Sequence, residues 1–437
     1  MTASELTSEA APSRGATDGA LAVAVRRRPW ARAAALTAVL GPGVIAASAG
    51  NDAGGIATYA SAGAQFGYRM LWVMVLVTVA LVVVQEMSAR LGAYTGEGLV
   101  SLIREQFSLR VGTFAVVCLL VANVGLVVSE FAGIGAAFEL FGVSRYISVP
   151  LSAVVIWAVV LFGSYRYAER VFLLLSLAFL AYPIAAILGS PSWGTVAANT
   201  AVPHLLASRA FLLLAVALIG TTITPYMQLY QAAAVADRGI GPDEYPAERV
   251  DAIAGSVLAN VVSMAIIVAT AAAIGGSGPL GSAKDAAKAL GPVAGSGATV
   301  LFGAGLLGAS ALAAAVVPLA TAYALAEAVG VERSVSRRFS EAPLFLGLFS
   351  LQVAVGAAVA LAPGNLINLL INTQILNGLV TPIILVFILI LANRRAVLGD
   401  AVNGRWFRKV AALCIVVVAI LAAVVLGQIV LGWLGVI

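Results

Sequence analysis

Residues 41–58 read GPGVIAASAGNDAGGIAT and place one acid, Asp52, inside an apolar stretch that runs from Ala33 to about Tyr68. A carboxylate near the middle of a bilayer costs at least about 2.5–3.5 kcal/mol on insertion scales, so an acid inside a membrane span is a candidate functional residue. Gly54 and Gly55, on the C-terminal side of Asp52, indicate that the helix unwinds there. Backbone carbonyls freed by unwinding, next to a carboxylate, are what a cation without its water requires. The stretch therefore predicts a broken membrane helix with a cation site at the break.

The composition predicts that the whole chain is a membrane protein. Of its 437 residues, 61% are hydrophobic and only 10% are charged, and the mean hydropathy is +1.03. Soluble domains carry about 25% charged residues, so we expect an all-α integral membrane protein. Apolar stretches long enough to cross roughly 30 Å of hydrocarbon recur along its length. They predict eleven membrane helices, at roughly 35–65, 69–91, 112–140, 146–162, 168–188, 208–236, 250–274, 297–328, 342–361, 366–391 and 408–435.

The net charge of +5 follows the predicted membrane topology and does not indicate a nucleic-acid partner. With the N-terminus in the cytoplasm, twenty of the 25 Lys and Arg residues fall in inside segments. The five outside are Arg69, Arg145, Arg209, Lys284 and Lys288. Cytoplasmic segments of membrane proteins carry such an excess of basic residues. We therefore expect a multi-pass protein of the plasma membrane, surrounded by lipid, with its N-terminus cytoplasmic and its C-terminus outside.

A second break is predicted in the sixth span, where residues 215–228 read AVALIGTTITPYMQ. Pro225 has no N–H and clashes with the preceding turn, so it kinks or breaks the helix. If spans one to five and six to ten form two halves, both breaks occupy corresponding places. Interrupted helices at matching places indicate a binding site near the middle of the membrane in an inverted-repeat transporter. For either helix alone, a packing kink is the alternative, because Pro and Gly are common in membrane helices.

The chain divides into a tail and one membrane domain. Residues 1–29 are rich in Ala, Ser, Thr and Gly and lack an apolar region, which predicts a disordered cytoplasmic tail. Residues 30–437 form the predicted transmembrane domain. Within it we expect a first repeat at about 33–188, a second repeat at about 208–391 and an extra helix at about 408–435.

Asp52 is the leading candidate for a cation ligand, with a structural ion pair as the alternative. Asn51 can share the site only if the helix unwinds, because adjacent helical positions point about 100° apart. Thr221 and Thr224 are three apart and share a helix face, so Thr221 could offer its carbonyl and Thr224 its hydroxyl. The alternative for Thr224 is a hydrogen bond to its own carbonyl four residues back.

The tenth span carries five polar residues in an otherwise apolar helix, and we expect this stripe to face the bundle interior or a cavity. They are Asn368, Asn372, Thr373, Gln374 and Asn377. Gln374 and Asn377 are three apart and line one face, either as a contact between helices or as part of a permeation path. In span three, Glu130 is a candidate proton or cation relay. Glu86 in span two is expected to pair with Arg90, four residues on.

Enzyme chemistry has little support in this sequence. The pattern GxxxxGK[ST] is missing, so there is no phosphate loop for a nucleotide. The single histidine, His204, lies in a predicted exterior loop, and Cys118 and Cys414 have no CxxC spacing. We therefore predict a protein that is not an enzyme, binds no nucleotide and holds no cofactor.

Several segments together carry a resemblance to a known family. They are residues 41–43, 51–58, 62–68, 71–72, 89–92, 95–99, 220–226, 373–374, 393–395 and 399–400. These segments resemble the NRAMP family of divalent metal transporters, and the likeness covers spans one to ten. It implies the LeuT-type fold, with two inverted repeats of five helices, helices 1 and 6 broken, an eleventh helix added, and alternating access.

The chain also departs from the family's pattern. Residues 52–55 read Asp-Ala-Gly-Gly where the family has Asp-Pro-Gly-Asn, so the acid survives while Gly55 replaces the Asn ligand. Thr224 replaces the family's methionine, Tyr226 its histidine, and Gly133 an acid implicated in proton transfer. Losing sulfur and imidazole while keeping oxygen donors shifts the expected preference toward Mg²⁺ or Mn²⁺. The pattern is similar to the NRAMP-related magnesium transporters, which lack that methionine.

The sequence therefore predicts a secondary-active or facilitative transporter of Mg²⁺ or Mn²⁺ across the plasma membrane. The predicted metal ligands are Asp52, Thr221, Thr224 and Gln374. Asn51, Gly55, Tyr226 and Asn377 are expected along the substrate path, with Glu130 as a possible relay. The alternative is a LeuT-fold symporter of an organic solute such as an amino acid or amine, which other divalent cations would not block.

Overall fold

The computed structural model describes residues 52–162, 175, 177–329 and 342–434. All regular structure in this part of the chain is helical, which confirms the all-α prediction. The α-helices are α1 Ala53–Phe66, α2 Leu71–Thr95, α3 Leu99–Gln106, α4 Leu109–Leu140, α5 Arg145–Leu161, α6 Ala181–Leu188, α7 Trp193–Ala201, α8 Arg209–Thr222, α9 Pro225–Asp237, α10 Tyr245–Ile274, α11 Ala283–Ala287, α12 Gly291–Ala294, α13 Ala298–Val329, α14 Pro343–Ala360, α15 Leu366–Ala392, α16 Arg395–Leu398 and α17 Arg405–Trp433. Single 3₁₀ turns lie between them at Gly67–Met70, Leu177–Leu180, Lys288–Leu290, Gly295–Gly297 and Gly399–Ala401.

The described chain contains eight helices that are long and apolar enough to cross a membrane. Two shorter apolar helices, α5 and the one that ends at Leu188, add to these. The protein is thus a multi-pass membrane protein. The total of eleven spans stays a prediction, as do the repeat boundaries and the extra helix at about 408–435. The predicted tail, residues 1–29, lies outside the described residues.

Five short helices occupy segments that the sequence predicts as loops or loop ends: α3, α7, α11, α12 and α16. Each is too short to cross a membrane, so hydropathy over a span-length stretch cannot detect it. In α3, Leu99, Val100, Leu102 and Ile103 are buried while Arg104 and Glu105 are exposed. Such a helix forms because one apolar face packs against the bundle.

The helix bundle is centred on α4, which is 32 residues long. It packs against α13, α14 and α15, while α10 packs against α1 and α2, and α8 packs against α15. Membrane helices associate through close packing and polar contacts, because lipid supplies no hydrophobic drive between them. This packing brings the start of α1, the middle of α4, the middle of α15 and the junction of α8 with α9 together inside the bundle.

The backbones of α8 and α15 touch at two glycines. A Cβ added to Gly220 would lie 2.0 Å from the carbonyl oxygen of Gln374 and 2.4 Å from the nitrogen of Gly378. A Cβ added to Gly378 would lie 2.2 Å from the carbonyl oxygen of Val216. Backbone atoms cannot rotate away, so only glycine permits this approach. The contact holds α15 against the last turn of α8.

A buried charge cluster joins α2 to α10 and to the turn before α17. Glu86 accepts a hydrogen bond from Arg90 at 3.2 Å, which confirms the predicted pair, and another from the hydroxyl of Tyr245. The exposed Arg249 lies 3.8 Å from the same carboxylate at the edge of the cluster, and Arg90 also donates to Asn403. Buried charges are tolerated when they are paired and hydrogen-bonded in this way. Sequence spacing identifies only the first pair, because the other partners come from distant segments.

Candidate metal site

Asp52 lies at the start of α1, inside the predicted first span. Its oxygen Oδ1 accepts a 2.6 Å hydrogen bond from the backbone N–H of Gly55, as the side chain of an N-cap residue does. The other oxygen, Oδ2, is buried and has no hydrogen-bond partner among the described residues. The residue as a whole is only 4% exposed. One oxygen of Asp52 is therefore held by the helix, and the other is available to a ligand.

Glu130, in the second half of α4, brings a second carboxyl group to Asp52. Its side chain is fully buried, and neither of its oxygens makes a hydrogen bond of normal geometry with another described residue. The carboxyl interacts with that of Asp52 and faces the backbone N–H of Ala53. Two carboxylates in contact repel each other unless a proton or a cation compensates their charge. The sequence marks Glu130 as a candidate but does not reveal its contact with Asp52.

The sixth span is interrupted between Thr222, where α8 ends, and Pro225, where α9 begins. Ile223 and Thr224 leave the helical conformation, with φ and ψ of −117° and 58° for the first and −67° and 139° for the second. The carbonyl of Thr221 has no backbone donor four residues on, because Pro225 has no N–H. The predicted break is confirmed, and it frees the carbonyl that the sequence assigns to a cation.

The hydroxyls of Thr221 and Thr224 are buried and make no hydrogen bond of normal geometry within the described chain, although Thr221 lies near the hydroxyl of Tyr59. Thr58 and Thr381 behave differently, because each donates to its own carbonyl four residues back at 2.7 Å. The alternative to a ligand role for Thr224, a hydrogen bond to its own carbonyl four residues back, is therefore wrong. The shared helix face is also wrong, because Thr224 lies beyond the end of α8, where helical spacing no longer applies. Unpaired buried hydroxyls beside a free carbonyl indicate a place for a ligand.

Gln374 of α15 lies against the start of α1. A Cβ added to Gly54 would lie 1.9 Å from the amide nitrogen of Gln374, so the missing side chain of Gly54 makes room for it. The amide of Gln374 donates to the hydroxyl of Ser129 at 3.5 Å and accepts from Asn377 at 3.3 Å. Gln374 and Asn377 thus share a face, as predicted. The two roles left open, helix contact and ligand, both fit the position of Gln374.

The polar stripe of the tenth span is buried only in part. Thr373, Gln374 and Asn377 are buried, but Asn368 and Asn372 are exposed. Of the two expected places, the bundle interior is wrong for these two asparagines, and a cavity stays a prediction. They are four apart and share a helix face of their own, turned away from the one that carries Gln374 and Asn377.

The predicted path residues have separate outcomes. Asn51 lies outside the described residues. Gly55 is buried and its backbone holds Asp52, while Tyr226 is buried in the first turn of α9. Asn377 is buried beside Gln374. None of these placements tests a role in permeation, so that role stays a prediction.

Two serines near the carboxylates are not among the predicted site residues. Ser129 contacts Gln374, and its position directly before Glu130 is the signal that could have identified it. Ser310 of α13 has a buried hydroxyl without a partner in the described chain. A Cβ added to Gly133 would lie 2.4 Å from this hydroxyl and 2.4 Å from the Cβ of Ala53. Ser310 and Ala53 therefore occupy the space that the acidic side chain expected from the family at position 133 would need. Ser310 stands alone in an apolar helix, and no sequence signal marks it.

The donors at this site suit a hard cation. Within the described ranges, no group of three or more His, Cys, Asp or Glu residues could hold a metal ion. The candidate site instead combines carboxylates with hydroxyl, carbonyl and amide oxygens, which are the ligands that Mg²⁺ and Mn²⁺ prefer. A site with few charged ligands can release an ion as well as bind it, which transport requires.

The fold and the site together define a class of protein, the membrane transporters in which broken helices meet at a buried site for a charged substrate. The chain belongs to the NRAMP family: the sequence model of the family described as natural resistance-associated macrophage protein-like (Nramp) matches residues 43–428. This match confirms the resemblance found in the sequence.

Individual relatives agree with this membership. The divalent metal cation transporter MntH of Ralstonia nicotianae is 30% identical over 420 residues, which cover 90% of this chain and 91% of that protein. The crystal structure of the Eremococcus coleocola manganese transporter matches with a TM-score of 0.74 at 20% identity, covering 91% of this chain and 87% of that one. Mhp1, a nucleobase-cation-symport-1 family transporter, matches with a TM-score of 0.51 at 15% identity, covering 89% and 92%. The two structures confirm the LeuT-type fold.

Proposed function

We propose that this protein moves a divalent metal cation, Mg²⁺ or Mn²⁺, across the plasma membrane by alternating access, as a secondary-active or facilitative transporter. The observation that carries the proposal is the buried free oxygen of Asp52 at the start of α1, a helix that meets the last turn of α8 through the hydrogen bond between Tyr59 and Thr222. The MntH relative is a divalent metal cation transporter and the fold relative is a manganese transporter, which supports the same class of cargo.

The proposed ligands come from three places in the bundle. Asp52 binds the ion through Oδ2, while Oδ1 stays bonded to Gly55. The carbonyl of Thr221 and the hydroxyl of Thr224 supply neutral oxygens from the break. Gln374 completes the set in one access state, directly or through water. The path of the ion is lined by Asn51, Gly55, Tyr226 and Asn377. It connects the cytoplasm, where the N-terminus lies, with the outside, where the C-terminus lies.

The ligand set explains the proposed choice of ion. None of the proposed ligands carries sulfur or imidazole, so soft and borderline ions such as Cd²⁺ and Fe²⁺ have no preferred donor. Mg²⁺ loses its water reluctantly and usually keeps several waters when it binds. Gly55, which has no side chain, leaves room for such waters next to Asp52.

Uptake by the purified protein in proteoliposomes tests this function. We expect saturable uptake of Mn²⁺ and Mg²⁺ in which each ion competes with the other, because both occupy one site. Liposomes without protein are the control. Should neither ion enter or compete, while an amino acid or amine is taken up with Na⁺ or H⁺, the organic-solute symporter would be the correct assignment.

Replacing Thr224 by Met is expected to raise Cd²⁺ uptake relative to Mg²⁺ uptake by about tenfold, because a thioether prefers the softer ion. Competition between the two ions in proteoliposomes measures the ratio. Thr224→Val is the matched control, since it removes the hydroxyl without adding sulfur and should slow uptake of both ions together. An unchanged ratio in Thr224→Met would place residue 224 away from the ion.

A further inference from the structure

We propose that Glu130 is a second carboxylate ligand of the transported ion, so that the site presents two negative charges to one divalent cation. The inference rests on the proposed function. It gives Glu130 direct contact with the cargo, in place of the relay role expected from the sequence.

The first support is that Glu130 lacks the partners of the other buried glutamates. Glu86 forms a salt bridge with Arg90, and Glu248 accepts a 2.8 Å hydrogen bond from Gln231. Glu130 is fully buried, and apart from its contacts with Asp52 and the N–H of Ala53 neither of its oxygens makes a hydrogen bond of normal geometry with a described residue. A carboxylate buried without a donor needs a proton or a cation to compensate its charge, and the proposal assigns this part to the transported cation.

The second support is that no described helix packed against α4 brings a buried basic side chain to Glu130. α1, α9, α13, α14 and α15 contain no Lys or Arg, and the basic residues of α3 and α11, Arg104 and Lys284, are exposed. On α4 itself, Arg110 is exposed in the first turn. Arg145 of α5 lies 3.7 Å from Glu139, near the opposite end of α4 from Arg110. The charged group that the structure places against Glu130 is Asp52, another acid.

The third support is the arrangement of the free oxygens. Asp52 comes from the start of α1 and Glu130 from α4, and their carboxyls interact directly. Oδ2 of Asp52 and both oxygens of Glu130 are free to bind the same ion. One turn along α4, the unpartnered hydroxyl of Ser310 lies beside Gly133 and adds a neutral oxygen to the same region.

Two carboxylates determine which charge the site accepts. Against one divalent cation they leave no net charge in a low-dielectric interior, whereas a monovalent cation would leave one negative charge without a partner. Two carboxylates completed by neutral oxygens are also a usual donor set for Mg²⁺ and Mn²⁺. Glu130 therefore sets the preference for divalent over monovalent cations.

Mn²⁺ binding to the purified full-length protein tests this role. Glu130→Gln keeps the shape of the side chain and removes its charge, so calorimetry should show at least about 30-fold weaker binding. Infrared difference spectra of the Mn²⁺-bound and free protein should show two perturbed carboxylate groups in the wild type and one in the variant. A purely structural role for Glu130 would not change the number of perturbed carboxylates.

Two further variants complete the test. Glu139→Gln makes the same change near the end of the same helix, on a half-exposed side chain, and should bind Mn²⁺ as the wild type does. Glu130→Asp keeps the charge on a shorter side chain, so we expect both carboxylate bands and a loss of affinity of about three- to tenfold.

The inference is overturned if Glu130→Gln or Glu130→Asp binds Mn²⁺ within about twofold of the wild type, or if Glu130→Gln still shows two perturbed carboxylates. If one variant does not fold, the other decides by the same criterion. The proposed function would remain, provided that the wild type binds Mn²⁺ saturably. A wild type that binds no divalent cation would instead contradict the proposed function itself.

Discussion

Replacing Asp52 by Asn is expected to lower the initial rates of Mn²⁺ and Mg²⁺ uptake at least about 100-fold, while the protein still folds. The carbonyl oxygen of the Asn side chain can still accept the hydrogen bond from Gly55, so the start of α1 keeps its cap. One of the two proposed negative charges is lost, so the ion is compensated less for the water that it gives up. Initial rates in proteoliposomes and Mn²⁺ calorimetry measure the effect.

The matched control for this variant is Asp243→Asn, in the exposed turn before α10. It removes one negative charge from the protein without touching the bundle, and we expect it to transport as the wild type does. Undiminished uptake in Asp52→Asn would show that the ion binds elsewhere, whatever the behaviour of Asp243→Asn.

The second large effect is expected for Gly220→Ala. The added Cβ would lie 2.0 Å from the carbonyl oxygen of Gln374 and 2.4 Å from the nitrogen of Gly378, so α8 and α15 must separate. Overpacking of this kind costs about 1–3 kcal/mol or more, and here the displaced segment carries a proposed ligand. We therefore expect a clearly lower melting temperature in detergent and a loss of uptake of about tenfold or more. Intrinsic-fluorescence melting and proteoliposome uptake measure the two effects.

Gly427→Ala in α17 controls for the substitution itself, because a Cβ there would meet no atom within 4 Å. This variant should melt and transport as the wild type does. If Gly220→Ala melts at the wild-type temperature and transports normally, the close approach of α8 and α15 is not needed for the site.

The interruption between α8 and α9 was predictable because it has a local cause. Pro225 removes an N–H and so ends the helix before it, wherever the segment lies in the fold. The unwinding predicted at Gly54 and Gly55 is wrong: both lie in the first turn of α1, because the side chain of Asp52 bonds an N–H of that turn and starts the helix. The pair of Glu86 with Arg90 is equally local, since helical residues four apart are neighbours.

The candidate site was predictable only as separate residues. The sequence names Asp52, Thr224, Gln374 and Glu130, but nothing in it indicates which of them touch. Asn368 had the same polar character as Gln374 and proved to be exposed, because hydropathy alone does not say which face of a helix meets its neighbours. Ser310 gave no signal at all, since one serine in an apolar helix is unremarkable.

By itself, the sequence determined a helical membrane protein of the NRAMP family, with an acid inside one membrane span and a proline break in another. These features follow from hydropathy and from the chemistry of neighbouring residues along the chain. Only the tertiary structure decided that Glu130 meets Asp52, that Gln374 lies over Gly54 and that two glycine-lined helices touch. Such contacts depend on how helices far apart in the chain are rotated and shifted against each other, and close packing of the whole bundle sets that register.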